Sequence, residues 1–141
     1  MSGVYYLDCE FNGFKGELIS VALVPADLCW PKFYKVLPLP SRIDPWVEKH
    51  VIPFLNKEPE PMDVVQRELG EYLKDAKEVI ADWPEDIAHL CKLLITGPGM
   101  RLRCYDRLSF IIDASLDSSL SRIPHNALED AIAIREADST R

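Results

Sequence analysis

The chain has 141 residues, with 16 Lys and Arg against 23 Asp and Glu, for a formal net charge of −7. That length suits a single domain, 1–141, and 48% apolar residues are too many for intrinsic disorder. The acidic balance excludes a broad basic nucleic-acid-binding face, but not a nucleic-acid substrate whose phosphates meet bound cations.

Val4-Tyr5-Tyr6-Leu7-Asp8-Cys9-Glu10 carries apolar side chains on both alternations, the pattern of a central strand covered on both faces. Asn12-Gly13 and Lys15-Gly16 supply turn chemistry. Leu18 to Val24 reads as a second strand, stopped by Pro25, and Lys32 to Leu37 as a third, nearer an edge. Short connections make these three an antiparallel meander. Asp44-Pro45 pairs an N-cap with Pro at the first helical position. Trp46, Val47, His50, Val51 and Phe54 then recur at helical spacing, with Pro53 kinking or shortening that helix.

Pro61 to Asp75 is the clearest amphipathic helix, with Val64, Val65, Leu69, Tyr72 and Leu73 on one side. Glu78 to Ala81 reads as a short strand, Asp86 to Leu94 as a helix, and Gly97-Pro98-Gly99 as a turn. The signal weakens from Met100 to Ile123, where Leu108 to Ile112 is a candidate strand. Asn126 to Glu136 is the final helix, with Asp138 to Arg141 frayed. Strands first and βα units afterwards imply an α/β protein with a mixed sheet flanked by helices. Cys9, Cys29, Cys91 and Cys104 include no Cys-x-x-Cys pair, so buried reduced thiols are expected rather than a zinc site. No charged-then-apolar leader opens the chain, and no run approaches the roughly 18 apolar residues of a membrane span, so a cytoplasmic protein is expected.

Several acids sit where apolar residues are expected. Asp8 and Glu10, two apart on a strand, point to the same face about 6–7 Å from each other. Two like charges in a partly buried sheet are costly unless a cation lies between them; at a frayed strand end both would instead stand in water. Asp130 lies at the edge of the apolar arc of the last helix, near Ala127 and Ile134, while Glu129 takes the solvated side. Asp86 opens a helix directly after a strand, where an Asp also serves as a cap, and Asp82 at the strand end is its rival. Leu90 and Leu94 follow Asp86 at i+4 and i+8 and would hold it against the sheet. His125 precedes the last helix and can lean over the site from the loop, whereas His50 and His89 read as structural or solvated.

In order, Asp8-x-Glu10, Asp86 and His125-Asn126-Ala127-Leu128-Glu129-Asp130-Ala131 resemble the DEDDh group of 3′–5′ exonucleases in the ribonuclease H-like superfamily. Within that group the chain is most similar to the small bacterial and phage exoribonuclease branch of mycobacterial type. The similar stretches are Glu17-Leu18-Ile19-Ser20-Val21, Trp46-Val47-x-x-His50-Val51-x-Pro53 and Asp86-x-x-x-Leu90-Cys91. Met100 to Ile123 departs from the pattern, and Trp83-Pro84-Glu85 before Asp86 is unusual.

The resemblance implies a ribonuclease H-like mixed sheet and a metal-dependent 3′–5′ exoribonuclease that trims single-stranded RNA and releases nucleoside 5′-monophosphates. It implies two divalent ions, Mg²⁺ or Mn²⁺, about 4 Å apart, serving the attacking and leaving oxygens. Asp8 would contact both ions, Glu10 and Asp130 would complete one, and Asp86 would hold the other. His125 would act as the base, since an imidazole titrates near neutral pH. Phe11 and Asn12 occupy the place where related enzymes touch the terminal nucleotide, although Phe11 reads equally as core, and Trp83 is a further stacking candidate. The same chemistry on DNA, a non-catalytic nucleic-acid-binding module of this fold, and a structural domain with solvated acids are the competing readings. RNA is favoured over DNA, no membrane partner is expected, and a homodimer stays open.

Overall fold

In the computed structural model, which describes residues 2–139, the sheet is built around β1 (Val4–Phe11). β2 (Leu18–Pro25) runs antiparallel along one side of β1, and β3 (Phe33–Val36) pairs antiparallel with β2 at the edge. β4 (Glu78–Ala81) lies parallel to β1 on the other side. A small separate hairpin follows, β5 (Ile95–Gly97) and β6 (Met100–Arg101), before β7 (Ser109–Ile112) pairs parallel with β4. The five-stranded order is β3-β2-β1-β4-β7, a mixed sheet whose antiparallel half is the expected meander. The strand anticipated at Leu108 to Ile112 forms as β7.

β1 is covered on both faces, as its two apolar alternations require. Tyr5, Leu7 and Cys9 join Leu69 of α2 (Met62–Tyr72) and Leu90 and Leu93 of α3 (Pro84–Leu93) in the larger core. Tyr6 turns the other way and packs with Ile80, Leu116 and Ile134 of α4 (Ala127–Ser139). Ala22 opposes Asp8 across the β1–β2 ladder and packs with Ala127 and Ala131. Such small side chains let a helix axis approach its neighbour closely, and here they bring α4 down onto the strand pair. The short α1 (Pro45–His50) is capped by Asp44, whose Oδ1 accepts from the Trp46 N–H at 2.9 Å. It ends before Pro53, and a 3-10 turn, Ile52–Phe54, follows.

Several boundaries differ from the sequence pattern: β2 runs on to Pro25, β3 is shorter by one residue at each end, and α2 and α4 each start one residue late. α2 ends at Tyr72 rather than Asp75. α3 starts at Pro84, not at Asp86, because Pro fits the first helical position; Asp86 therefore sits inside the first turn. It ends at Leu93, one residue short of the expected Leu94. α4 continues past Glu136 to Ser139, and Asp138 is tied to the sheet by a hydrogen bond from the Tyr6 hydroxyl, so the expected fraying does not begin there. Residues 140 and 141 lie outside the described residues. All four cysteines are free, yet only Cys9 is buried; Cys29 is exposed, and Cys91 and Cys104 are intermediate. Among the described residues, no helix is long and apolar enough to cross a membrane.

Candidate metal centre

Five carboxylates from four places in the chain meet at the carboxyl-terminal ends of β1 and β4. Asp8 and Glu10 come from one face of β1, Asp82 follows β4 directly, Asp86 stands in the first turn of α3, and Asp130 in the first turn of α4. They form two groups of three that share Asp8. One oxygen each from Asp8, Glu10 and Asp130 lies within 4.8 Å of the others, and the same holds for Asp8, Asp82 and Asp86. Asp82 and Asp86, rivals in the sequence, thus both reach Asp8. Asp86 is the more deeply placed, 2% exposed, whereas Asp82 is only partly buried. Outer ends of parallel strands are a recurrent ligand position in open α/β sheets, because the chain turns away there and leaves a crevice.

The cluster is electrostatically incomplete. Asp8 Oδ2, Asp86 Oδ2 and Asp130 Oδ1 are buried without a hydrogen-bond partner. An ionised carboxylate in that condition costs several kcal/mol, so protonation or a cation must relieve it. Burial, followed by the charges of Asp86 and Glu10, holds Asp8 well above the ordinary carboxylate range. Burial, then Asp130 and Asp86, pushes Glu10 up to about 9. Asp86 is pushed up to about 8 by burial and Asp82, against the Cys9 N–H that donates to its Oδ1 at 3.3 Å. Asp130 is raised by burial, opposed chiefly by the neighbouring Ser121 hydroxyl and His125, and Asp82 is raised by burial.

An oxygen-only donor set of this kind suits a hard divalent cation such as Mg²⁺ or Mn²⁺ rather than zinc. The Cys9 thiol does not join it: Sγ lies 3.7 Å from the Asp86 carbonyl, on the opposite side of the strand from Asp8. The partnerless buried oxygens are what bound cations would satisfy. The residues present therefore fit such ions.

His125 lines the same cleft, a hollow of ≈ 570 Å³ that also contains Phe11, Phe14, Trp46 and Trp83. It takes a left-handed backbone, φ +68, which costs a non-glycine residue on the order of 1–3 kcal/mol and is common at functional sites. Asn126 secures it from behind. Its Oδ1 accepts from the Glu129 N–H at 3.0 Å as a helix cap, and its Nδ2 donates to the Phe54 carbonyl at 2.8 Å. In front, the His125 ring stands edge-on to Trp46 with centroids 5.0 Å apart. His50, which the sequence pattern presents as structural or solvated, stacks on Trp46 with centroids 4.5 Å apart and lies 6.4 Å from the His125 ring. The sequence presents Trp46 only as a helical hydrophobe, yet it is 51% exposed at the cleft.

The two residues expected at the terminal nucleotide part company. Phe11 lines the cleft and packs against His89 at 4.9 Å between centroids. Asn12 does not line it. Its Nδ2 donates to Glu17 Oε1 and to the Arg42 carbonyl, and its Oδ1 accepts from the Asp44 N–H at 2.8 Å, so its amide fastens the β1–β2 turn to the start of α1. Glu129, expected in water, is half-buried and keeps its Oε2 shielded without a hydrogen bond. Neither a protein-family model nor a curated protein sequence matches the chain.

Proposed function

We propose that the protein is a metal-dependent 3′–5′ exoribonuclease acting on single-stranded RNA, built on a ribonuclease H-like sheet. The observation that carries this reading is the pair of carboxylate triads sharing Asp8, three of whose members keep a buried oxygen without a partner. The strand order β3-β2-β1-β4-β7 and the placement of His125 in the same cleft support it.

Asp8, Glu10 and Asp130 would hold one divalent cation, and Asp8 with Asp86 the other, with Asp82 in reach of the second. When bound, the two ions supply Lewis acidity to the reacting phosphodiester and compensate its charge. The chain's own residues do the rest. His125, which packs edge-on to Trp46 and directly precedes the Asn126 cap, would take a proton from the attacking water. Phe11 offers a ring to the terminal base, a contact worth about 1–3 kcal/mol with little sequence preference. An acidic protein can then bind a polyanion, since its carboxylates gather the cations that meet the phosphates.

The test is purified protein with end-labelled single-stranded RNA and DNA, each with Mg²⁺, Mn²⁺ or EDTA. Stepwise loss from the 3′ end, only with metal and faster on RNA, is the expected result, with near-abolition in Asp8→Ala. Hydrolysis that persists in EDTA overturns the reading, and equal or greater rates on DNA overturn the choice of RNA.

A further inference from the structure

We propose that a second groove, on the far side of Phe11 from the carboxylates, carries the upstream nucleotides of the strand whose 3′ end reaches Asp8; this inference rests on the nuclease reading above. The two hollows share walls. The turn between β1 and β2 presents Gly13 and Phe14 to the cleft and Lys15 and Gly16 to the groove. Phe11, on the cleft side, touches His89, which lines the groove. A chain leaving the cleft over this turn enters a hollow of ≈ 490 Å³ between α2 and α3.

The groove has the chemistry of a single-strand track, a cationic rim over apolar surface. Lys15 and Lys92 are exposed on its walls, and neither is in an ion pair among the described residues, in a chain of net charge −7. Glu17, an acid on the same wall, is engaged by the Asn12 amide at 3.1 Å. Met62 and Ile95 line the groove as exposed apolar side chains, and Phe14, 85% exposed, stands at the entrance. Gln66 Nε2 ties α2 to the Leu93 and Ile95 carbonyls, both at 3.1 Å, so the floor is held rigid. Lys15 itself takes a left-handed backbone, φ +57, in a turn so tight that a side chain at Gly16 would collide with the Asn12 carbonyl. That turn fixes the lysine at the junction of the two hollows.

The experiment compares kcat/KM for di-, penta- and decameric oligoadenylate with Mn²⁺ in the wild type and in Lys15→Gln/Lys92→Gln. The dinucleotide is too short to reach the groove and sets the reference. In the wild type the pentamer-to-dimer ratio is expected to be about 10 or more, through KM, and the double variant should lose about 10-fold of it. Two phosphate contacts fewer should also flatten the slope of log affinity against log salt by about 1.4 for the decamer. Turnover that is independent of length in the wild type, or a double variant with the wild-type ratio, overturns the groove while leaving the nuclease reading intact. Failure of the wild type to cleave any oligomer overturns both.

Discussion

Asp8→Asn should stabilise the protein in the absence of divalent cations and remove its response to them. In the unfolded chain the carboxyls ionise near about pH 4. In the folded chain Glu10 and Asp86 keep their protons to about 9 and about 8, and Asp8 is raised as well. Between those limits the folded state binds more protons than the unfolded one, so stability is full below about pH 4 and is lost as the pH rises through the folded values. Each retained proton costs about 1.4 kcal/mol per pH unit, so even one costs about 4 kcal/mol from about pH 5 to about pH 8. That is a large part of the roughly 5–15 kcal/mol that holds a domain together.

At about 3 °C per kcal/mol, thermal unfolding in EDTA should occur about 12 °C lower at the higher pH. A cation that binds only the folded state restores about 2.7 kcal/mol at about 100 times its Kd, or about 8 °C. Circular dichroism melts of wild type and Asp8→Asn, with EDTA and with millimolar Mg²⁺ or Mn²⁺, measure both effects. Asn keeps the shape of Asp8 but withdraws the charge common to both triads. At about pH 8 in EDTA the variant should therefore melt above the wild type, and added metal should raise it little. A variant that melts lower than the wild type in EDTA yet gains the full metal shift would refute the electrostatic account of the cluster.

His125→Ala should keep the metal-dependent rise in Tm and lose about 10²–10⁴ in kcat, the range for a general base; single-turnover rates at saturating metal check it. Asp86→Asn should lower both the metal shift and kcat more than Asp82→Asn does, because Asp86 is the more buried of the two. The reverse order would make Asp82 the principal ligand. Asn126→Ala removes a helix cap and the bond to the Phe54 carbonyl, a loss of about 1–2 kcal/mol that denaturant titration would read as a shift in midpoint without a change in slope. Its kcat should fall as well, since His125 is the residue next to the cap.

Much of this arrangement is legible in the order of the amino acids. Period-two alternation places Asp8 and Glu10 on one face whatever the rest of the chain does, and the apolar residues around them make that face costly for two acids. Asp130 is readable because a helical wheel separates it from the solvent side, although the same wheel puts Glu129 in water and the structure half-buries it. Other features are tertiary and leave no local mark. The amide of Asn12 is spent on Arg42 and Asp44, about thirty positions away, so its type and position suggest a ligand contact that its bonds preclude. Trp46 repeats with Val47 and Val51 like any core residue, and only the packing of α1 shows that its ring faces the cleft. The order in which Asp82 and Asp86 matter depends on how α3 leaves β4. The pattern hides this, because Pro84 starts the helix two residues before the expected point.

The packing that brings the carboxylates together is set by residues with no charge at all. Asp130 reaches Asp8 and Glu10 because Ala22, Ala127 and Ala131 let α4 lie close to the strands. Asp86 reaches Asp8 because Leu90 and Leu93 anchor α3 in the core on the opposite face. Apolar burial thus holds like charges together against their repulsion, and in the absence of a cation the domain is less stable for it. Lengthening Ala131 to Leu tests this division of labour. Overpacking there should cost about 1–3 kcal/mol by displacing α4. Because the displacement moves Asp130 away from its partners, the dependence of stability on pH between about 5 and 8 should weaken at the same time. A variant that loses stability equally at every pH would show that α4 packing and carboxylate convergence are independent.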